Sequence, residues 1–219
     1  VWLPVLLSLS RKRTGCEEVI KILGRATSSN VQKALWCAAE LELDFVHEAE
    51  YGGDFARTDT PEYRALNPNG LVPTLIHDDF VLWESHSIIR YLGAVFGAGG
   101  LWPTGPKARA ASEKWMDWSM SALEGAYFPA FYELIRKTPE QRNQAAVDQA
   151  VKDATPLLGI LDTALGDGGP FVGGEQLTIG DIVFAPTIHR WFNLDIPRPD
   201  TPNVRAWYDN VLQRPAFAK

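Results

Sequence analysis

At 219 residues, 46% of them hydrophobic and 22% charged, the chain is long enough for one large domain or two small ones, each burying a core of its own. The net charge of −6 is spread along the sequence without a basic stripe, which argues against a nucleic-acid partner and leaves charge a role in solubility. No stretch approaches the roughly 20 apolar residues of a membrane helix, so no membrane span is expected.

The two cysteines, Cys16 and Cys37, lack CxxC or metal-ligand spacing and do not make a disulfide framework, which fits a reducing cytoplasm and no metal. In "VWLPVLLSLSRKR" the charges follow the apolar run, the reverse of a secretory signal. Residues 1–18 are expected to form an N-terminal extension outside the main fold.

In chain order, "VIKILG" reads as a short buried strand closed by Gly24, and "NVQKALWCAAELEL" places Val31, Ala34, Leu35, Ala38 and Leu41 at helical spacing. "DFVHEAE" alternates as a second strand. A loop with Gly52 and Gly53 leads to a short helix in "TPEYRALNPNG", stopped by its turn residues. "LVPTLIHDDFVLWES" predicts two strands about a turn at Asp78 and Asp79, and "SHSIIRYLGAVF" a helix. The order is βαβ, then ββα.

From residue 97 to 106, "GAGGLWPTGP" is Gly- and Pro-rich without periodicity and reads as a linker. The rest of the chain is helical in pattern: residues 107–135, 140–165, "TIGDIVFAPTIHRWF" and "TPNVRAWYDNVLQRPAF". The expected organisation is an α/β domain over 19–96, the linker over 97–106 and an all-α domain over 107–219.

Three segments carry candidate chemistry. Pro73 interrupts an apparent strand, against the rule that proline avoids ladder interiors. A cis Val72–Pro73 bond would turn the N–H and C=O of Val72 outward, where an extended peptide can pair with them; a trans edge-strand proline is the alternative. "WES" at 83–85 offers a hydroxyl and free N–H groups at a helix start, suited to an anionic ligand terminus or to simple capping. "RATSSN" at 25–30 has the same two readings, since Thr27, Ser28, Ser29 and Asn30 can each cap the first helix.

Taken together, the βαβ–ββα layout, the polar start of the first helix, "NPNGLVPTL", "LWES", the linker and the helical half resemble the cytosolic glutathione transferase family over residues 19–219. "LTIGDIVFAP" adds to the resemblance, with Thr178 and Asp181 matching the capping box that starts a buried helix of the family's second domain. The resemblance implies a thioredoxin-like glutathione domain, an all-α domain, glutathione as co-substrate and a homodimer.

It also implies roles for residues. Serine-type members place the activating hydroxyl six residues before a small apolar position of the first helix, and counting back from Ala34 gives Ser28. Thr27, Ser29 and Asn30 remain alternatives for that role, with Asn30 donating through its amide. Val72 and Pro73 would hold the glutathione backbone, Ser85 and the helix start its γ-glutamyl carboxylate, and Glu84 its γ-glutamyl ammonium.

Met116 and Tyr127 are candidates for the wall of an electrophile pocket against the helical domain, and His86 lies close enough to Ser85 to graze the ligand. Cys37 falls on the stripe facing the sheet and reads as core. "SSN" resembles the "SSC" of the maleylacetoacetate isomerase branch, but Asn30 stands where that branch has cysteine. The expected activity is conjugation of the glutathione thiolate to an apolar electrophile. A non-catalytic binding or assembly module and a glutathione-dependent reductase or isomerase are the rivals.

Overall fold

The strand Ile20–Leu23 (β1) is buried along almost its whole length, the pattern of a strand covered on both faces. The computed structural model describes residues 19–217, so the expected extension over residues 1–18, Cys16 included, lies outside the described residues. The helix Ser29–Glu40 (α1) then carries the chain over to Phe45–Glu48 (β2), which pairs parallel with β1.

Pro61–Leu66 (α2) begins with proline in its first turn, where a missing N–H costs nothing, and Thr60 caps it by accepting from the N–H of Tyr63 at 3.3 Å. Thr74–His77 (β3) lies antiparallel to β1, and Phe80–Trp83 (β4) returns beside it through a tight turn in which Asp78 takes a left-handed φ of 53°. The sheet order is β2-β1-β3-β4.

Ser85–Phe96 (α3) follows, and its Ile88, Ile89 and Leu92 are buried with Val31, Ala34, Cys37 and Ala38 of α1. A mixed sheet of this order with helices after β1, β2 and β4 is the thioredoxin-like arrangement. Two compact units divide the chain: one runs up to Ala98 and takes back the residues from Arg214 onward, the other is Gly99–Gln213.

In the first unit the returning tail is fixed by charge and by aromatic contact. Arg214 donates from Nε and Nη2 to the two carboxylate oxygens of Glu40, both at 2.7 Å, and Phe217 packs edge-on to Trp36. Periodicity placed this stretch in the closing helix; that helix stops at Leu212, just ahead of the proline at 215.

The second unit is all helical. Its first long stretch begins at Pro106–Trp118 (α4) and resumes as Glu124–Phe131 (α5), with wider i→i+5 turns at Ser119–Leu123 and Tyr132–Arg136. Sequence periodicity predicted one helix here. Pro129, which has no N–H to give the preceding turn, lies just ahead of the second wide turn.

Gln144–Gly168 (α6) is capped by Asn143, which accepts from Ala146 N–H at 3.3 Å. The expected apolar helix at 178–192 is two helices, Ile179–Ile182 (α7) and Ala185–Asn193 (α8), because Pro186 interrupts the N–H series and takes the first turn of the second. Pro202–Leu212 (α9) borrows its cap from α6, where Asp162 accepts from the N–H groups of Asn203 and Val204 at 2.8 and 2.9 Å.

Part of the expected linker belongs to this unit: Leu101 is buried, and its carbonyl accepts from Ile179 N–H at 3.0 Å. Asp181 lies at the centre of the unit, fully buried. It accepts from the N–H groups of Thr178 and Val172, the Thr178 hydroxyl and Trp207 Nε1, while Ser112 bonds Thr178 Oγ1 and Gly180 N–H. No helix among the described residues is long and apolar enough to cross a membrane.

Candidate active site

One row of the sheet register gathers the three segments singled out by sequence. Leu23 at the end of β1 stands opposite Thr74 at the start of β3, and Thr74 stands opposite Trp83 at the end of β4. The loop leading to Ser28, the dipeptide Val72–Pro73 and the pair Glu84–Ser85 therefore all emerge at the same end of the sheet. Topology alone makes them neighbours; their sequence separations do not.

The β1–α1 loop is held tightly against Val72. Gly24 has a φ of 145°, and a Cβ there would lie 2.5 Å from a Val31 methyl and 2.9 Å from Val72 Cβ, so only glycine lets the loop pass. Ser28 is the N-cap of α1: its carbonyl accepts from Gln32 N–H at 2.9 Å, but its hydroxyl makes no capping bond. The first turn of α1 contains no acidic side chain, leaving the positive end of its dipole available to an anion.

The neighbours of Ser28 are more occupied. Thr27 Oγ1 accepts from Arg25 Nη1 at 2.8 Å, and Asn30 Oδ1 accepts from Lys33 Nζ at 3.2 Å. Ser29 is the first helical residue.

Val72–Pro73 is cis, and Val72 takes no part in the ladder, which begins at Thr74. The chain around it is pinned by a polar network. Tyr63 Oη donates to the Leu71 carbonyl at 2.7 Å and stands 2.9 Å from Thr74 Oγ1, while Asn67 Nδ2 donates to the same two acceptors at 2.8 and 3.2 Å. Asn67 Oδ1 in turn accepts from Asn69 N–H at 3.1 Å.

Burial pushes the Tyr63 phenol above its usual value, against the downward pull of Thr74 and Asn67, so it stays a protonated donor. Sequence reasoning missed Tyr63 and Asn67. The signal was present, since an Asx residue bonding two places on is a recognised turn former.

Glu84 is the N-cap of α3 with a φ of 74°, a left-handed conformation that costs a non-glycine residue on the order of 1–2 kcal/mol. Its side chain is exposed and does not cap the helix. Ser85 opens α3 and is 6% exposed. His86, next along, is buried, with Nε2 3.3 Å from Lys33 Nζ, so the contact ties the second turn of α1 to the first turn of α3. Lys33, 0% exposed, is a third residue that sequence reasoning passed over, its long charged side chain giving no hint of burial.

Other expectations fare differently. Cys37 is wholly buried and its thiol is pushed far above the ordinary range by burial, with Glu40 adding to the effect, so it packs rather than reacts. Met116 and Tyr127, expected to line an electrophile pocket, are 0% and 3% exposed, packed inside the helical unit with no face to offer a second substrate as it stands. Burial raises the Tyr127 phenol, while Arg190 and Thr187 pull the other way. Among the described residues no cluster of His, Cys, Asp and Glu is arranged to hold a metal.

A thioredoxin-like unit with an anion-friendly helix start, followed by an all-helical unit, defines the class. Family models assign the particular family: "Glutathione S-transferase, N-terminal domain" matches residues 27–95 and "Glutathione S-transferase, C-terminal domain" residues 144–210. The chain is 39% identical over 203 residues to glutathione S-transferase GstB of Escherichia coli strain K12, covering 92% of this chain and 97% of that protein. It is 35% identical over 155 residues to glutathione S-transferase D7 of Drosophila melanogaster, covering 69% and 66% of the two chains.

Among solved structures, the theta class glutathione S-transferase of Xanthomonas axonopodis pv. citri with glutathione bound superposes with a TM-score of 0.87 at 41% identity, covering 92% of this chain and 96% of that one. The chain belongs to the glutathione S-transferase family and is a glutathione transferase.

Proposed function

We propose that this enzyme joins the thiolate of glutathione to an electrophilic carbon of an apolar second substrate, a detoxifying conjugation carried out in the cytoplasm by a homodimer. The observation that carries this reading is the Ser28 hydroxyl. It stands at the start of α1 without a capping bond, at the sheet end from which Val72 and Ser85 also emerge.

In this reading Val72 pairs with the cysteinyl backbone beside the buried Pro73, Ser85 and the start of α3 receive the γ-glutamyl carboxylate, and Glu84 meets the γ-glutamyl ammonium. Ser28 donates to the sulfur. A free thiol near pKa 8.5 is mostly protonated at neutral pH, and lowering it by about two units takes roughly 2.7 kcal/mol. A charge-assisted hydrogen bond and the helix dipole together supply that order of energy. The attack then forms a carbon–sulfur bond and expels the electrophile's leaving group, or opens its ring or double bond.

An ultraviolet titration of the enzyme-bound thiol tests the reading. Ser28→Ala should raise the apparent pKa of bound glutathione and lower turnover near neutral pH, with glutathione affinity mostly kept. An unchanged titration assigns the role to Thr27, Ser29 or Asn30. Turnover with glutathione across several electrophile classes separates conjugation from a silent binding module or a reductase.

A further inference from the structure

Lys33 is a fully buried lysine that the conjugation reading does not use. It lies on α1 one turn beyond Asn30, and its ammonium meets Asn30 Oδ1 at 3.2 Å and His86 Nε2 at 3.3 Å. An ammonium has three donors and no acceptor. Whatever atom of the Asn30 amide faces it must therefore be the oxygen, and the His86 nitrogen facing it must be the unprotonated one.

Fixing the oxygen fixes the rest of the amide. With Oδ1 turned to the buried Lys33, the two N–H bonds of Asn30 must point away from that ammonium; Asn30 itself is half-buried in the first turn of α1, two residues from Ser28. The same ammonium, through His86, holds this turn to the first turn of α3, which carries Ser85. Without Lys33 the amide is free to flip, and a flipped amide offers a carbonyl oxygen to a thiolate it ought to attract.

We propose that Lys33 is a positioning residue for the thiol chemistry: it holds Asn30 so that the amide N–H groups donate to the glutathione sulfur beside the Ser28 hydroxyl. This inference rests on the glutathione-conjugation reading above. It makes Ser28 and Asn30 partners rather than alternatives. It also gives Lys33 an effect that depends on its contact with Asn30 and not on its charge.

The test is a set of variants read by ultraviolet titration of bound glutathione and by kcat and KM. Lys33→Met should raise the apparent thiol pKa by about one unit, the scale of one hydrogen bond to a charged group, with kcat near neutral pH falling more than KM rises. Asn30→Ala should do the same, and Lys33→Met in the Asn30→Ala background should add no comparable shift. Lys33→Gln, which keeps a donor for Asn30 but no charge, should titrate like the parent, and it carries the test if Lys33→Met fails to fold.

A shift of equal size in Lys33→Gln, or one that persists in the Asn30→Ala background, overturns the proposal in favour of a direct effect of charge. An unchanged titration in Lys33→Met overturns it while the conjugation reading stands on its Ser28→Ala shift. A parent enzyme that binds no glutathione overturns both.

Discussion

Tyr63 Oη stands 2.9 Å from Thr74 Oγ1, and this pair anchors the stretch containing Val72 and Pro73 where it enters the ladder. The phenol's single proton goes to the Leu71 carbonyl, so the Thr74 hydroxyl must donate to Tyr63 and accept from Asn67. Each hydrogen bond of the network thus has one possible direction, and the loop has one hydrogen-bonded arrangement.

Removing the phenol oxygen tests this. Tyr63→Phe leaves the Thr74 hydroxyl proton without its buried acceptor and should destabilise the protein by about 1–3 kcal/mol. If the network sets the place of Val72, glutathione binding should weaken as well. Denaturant unfolding and calorimetry on the same variant check the two parts, and a stability loss with unchanged affinity would separate the network from the site.

A second expectation concerns Ser85. Its hydroxyl opens α3, and losing its contact with a carboxylate should cost about 1.5–3 kcal/mol of glutathione binding in Ser85→Ala. Calorimetry reads this directly. Parent and variant with equal affinities would reduce Ser85 to the first residue of a helix.

How far the sequence disclosed this site depended on whether the signal was local. Pro73 broke a strand pattern, Thr178 and Asp181 matched a capping box, and the alternation of β and α segments gave the order of elements; each is read within a few residues. The Lys33–His86 contact is not local, because it joins two helices 53 residues apart through a side chain that composition assigns to the surface. The same holds for Arg214 and Glu40, 174 residues apart. Apolar periodicity also ran unbroken through Pro129 and Pro186, where the backbone lacks an N–H, so hydrophobic pattern concealed what hydrogen bonding decided.

The proposed homodimer has its own test. Met120, Phe128, Tyr132 and Ile135 lie along one side of the first long helical stretch and are all close to half exposed or more. We expect this stripe to be covered by a second copy of the chain, as burial of apolar area would favour. Sedimentation at micromolar concentration should give twice the chain mass, and Phe128→Glu should shift it toward the monomer. A monomeric parent would contradict the expectation.

The last prediction concerns Asp181, where two effects compete in sign. Burial removes the carboxylate from water and raises its pKa; Thr178, Val172 and Trp207 donate to it and lower its pKa. Burial is the larger, and the group is pushed up from 3.8 to about 6. A carboxyl whose folded pKa lies above its unfolded value stabilises the fold while it is protonated, so its contribution is complete below about pH 4 and is lost as pH rises through about 6. Across that window the loss amounts to at most about 3 kcal/mol, and above it the contribution is flat. Other carboxylates titrate in the same range, so the comparison has to be with Asp181→Asn, which cannot ionise. Because an amide places N–H groups where one oxygen accepted, that variant should be less stable than the parent at neutral pH by about 1–3 kcal/mol. The informative quantity is the parent's stability minus the variant's, measured by urea unfolding from pH 4 to 7.5: it should fall as pH rises to about 6 and then level. A difference that instead stays level from pH 4 to 7.5 would mean that the donors around Asp181 offset its burial and hold the carboxylate ionised throughout.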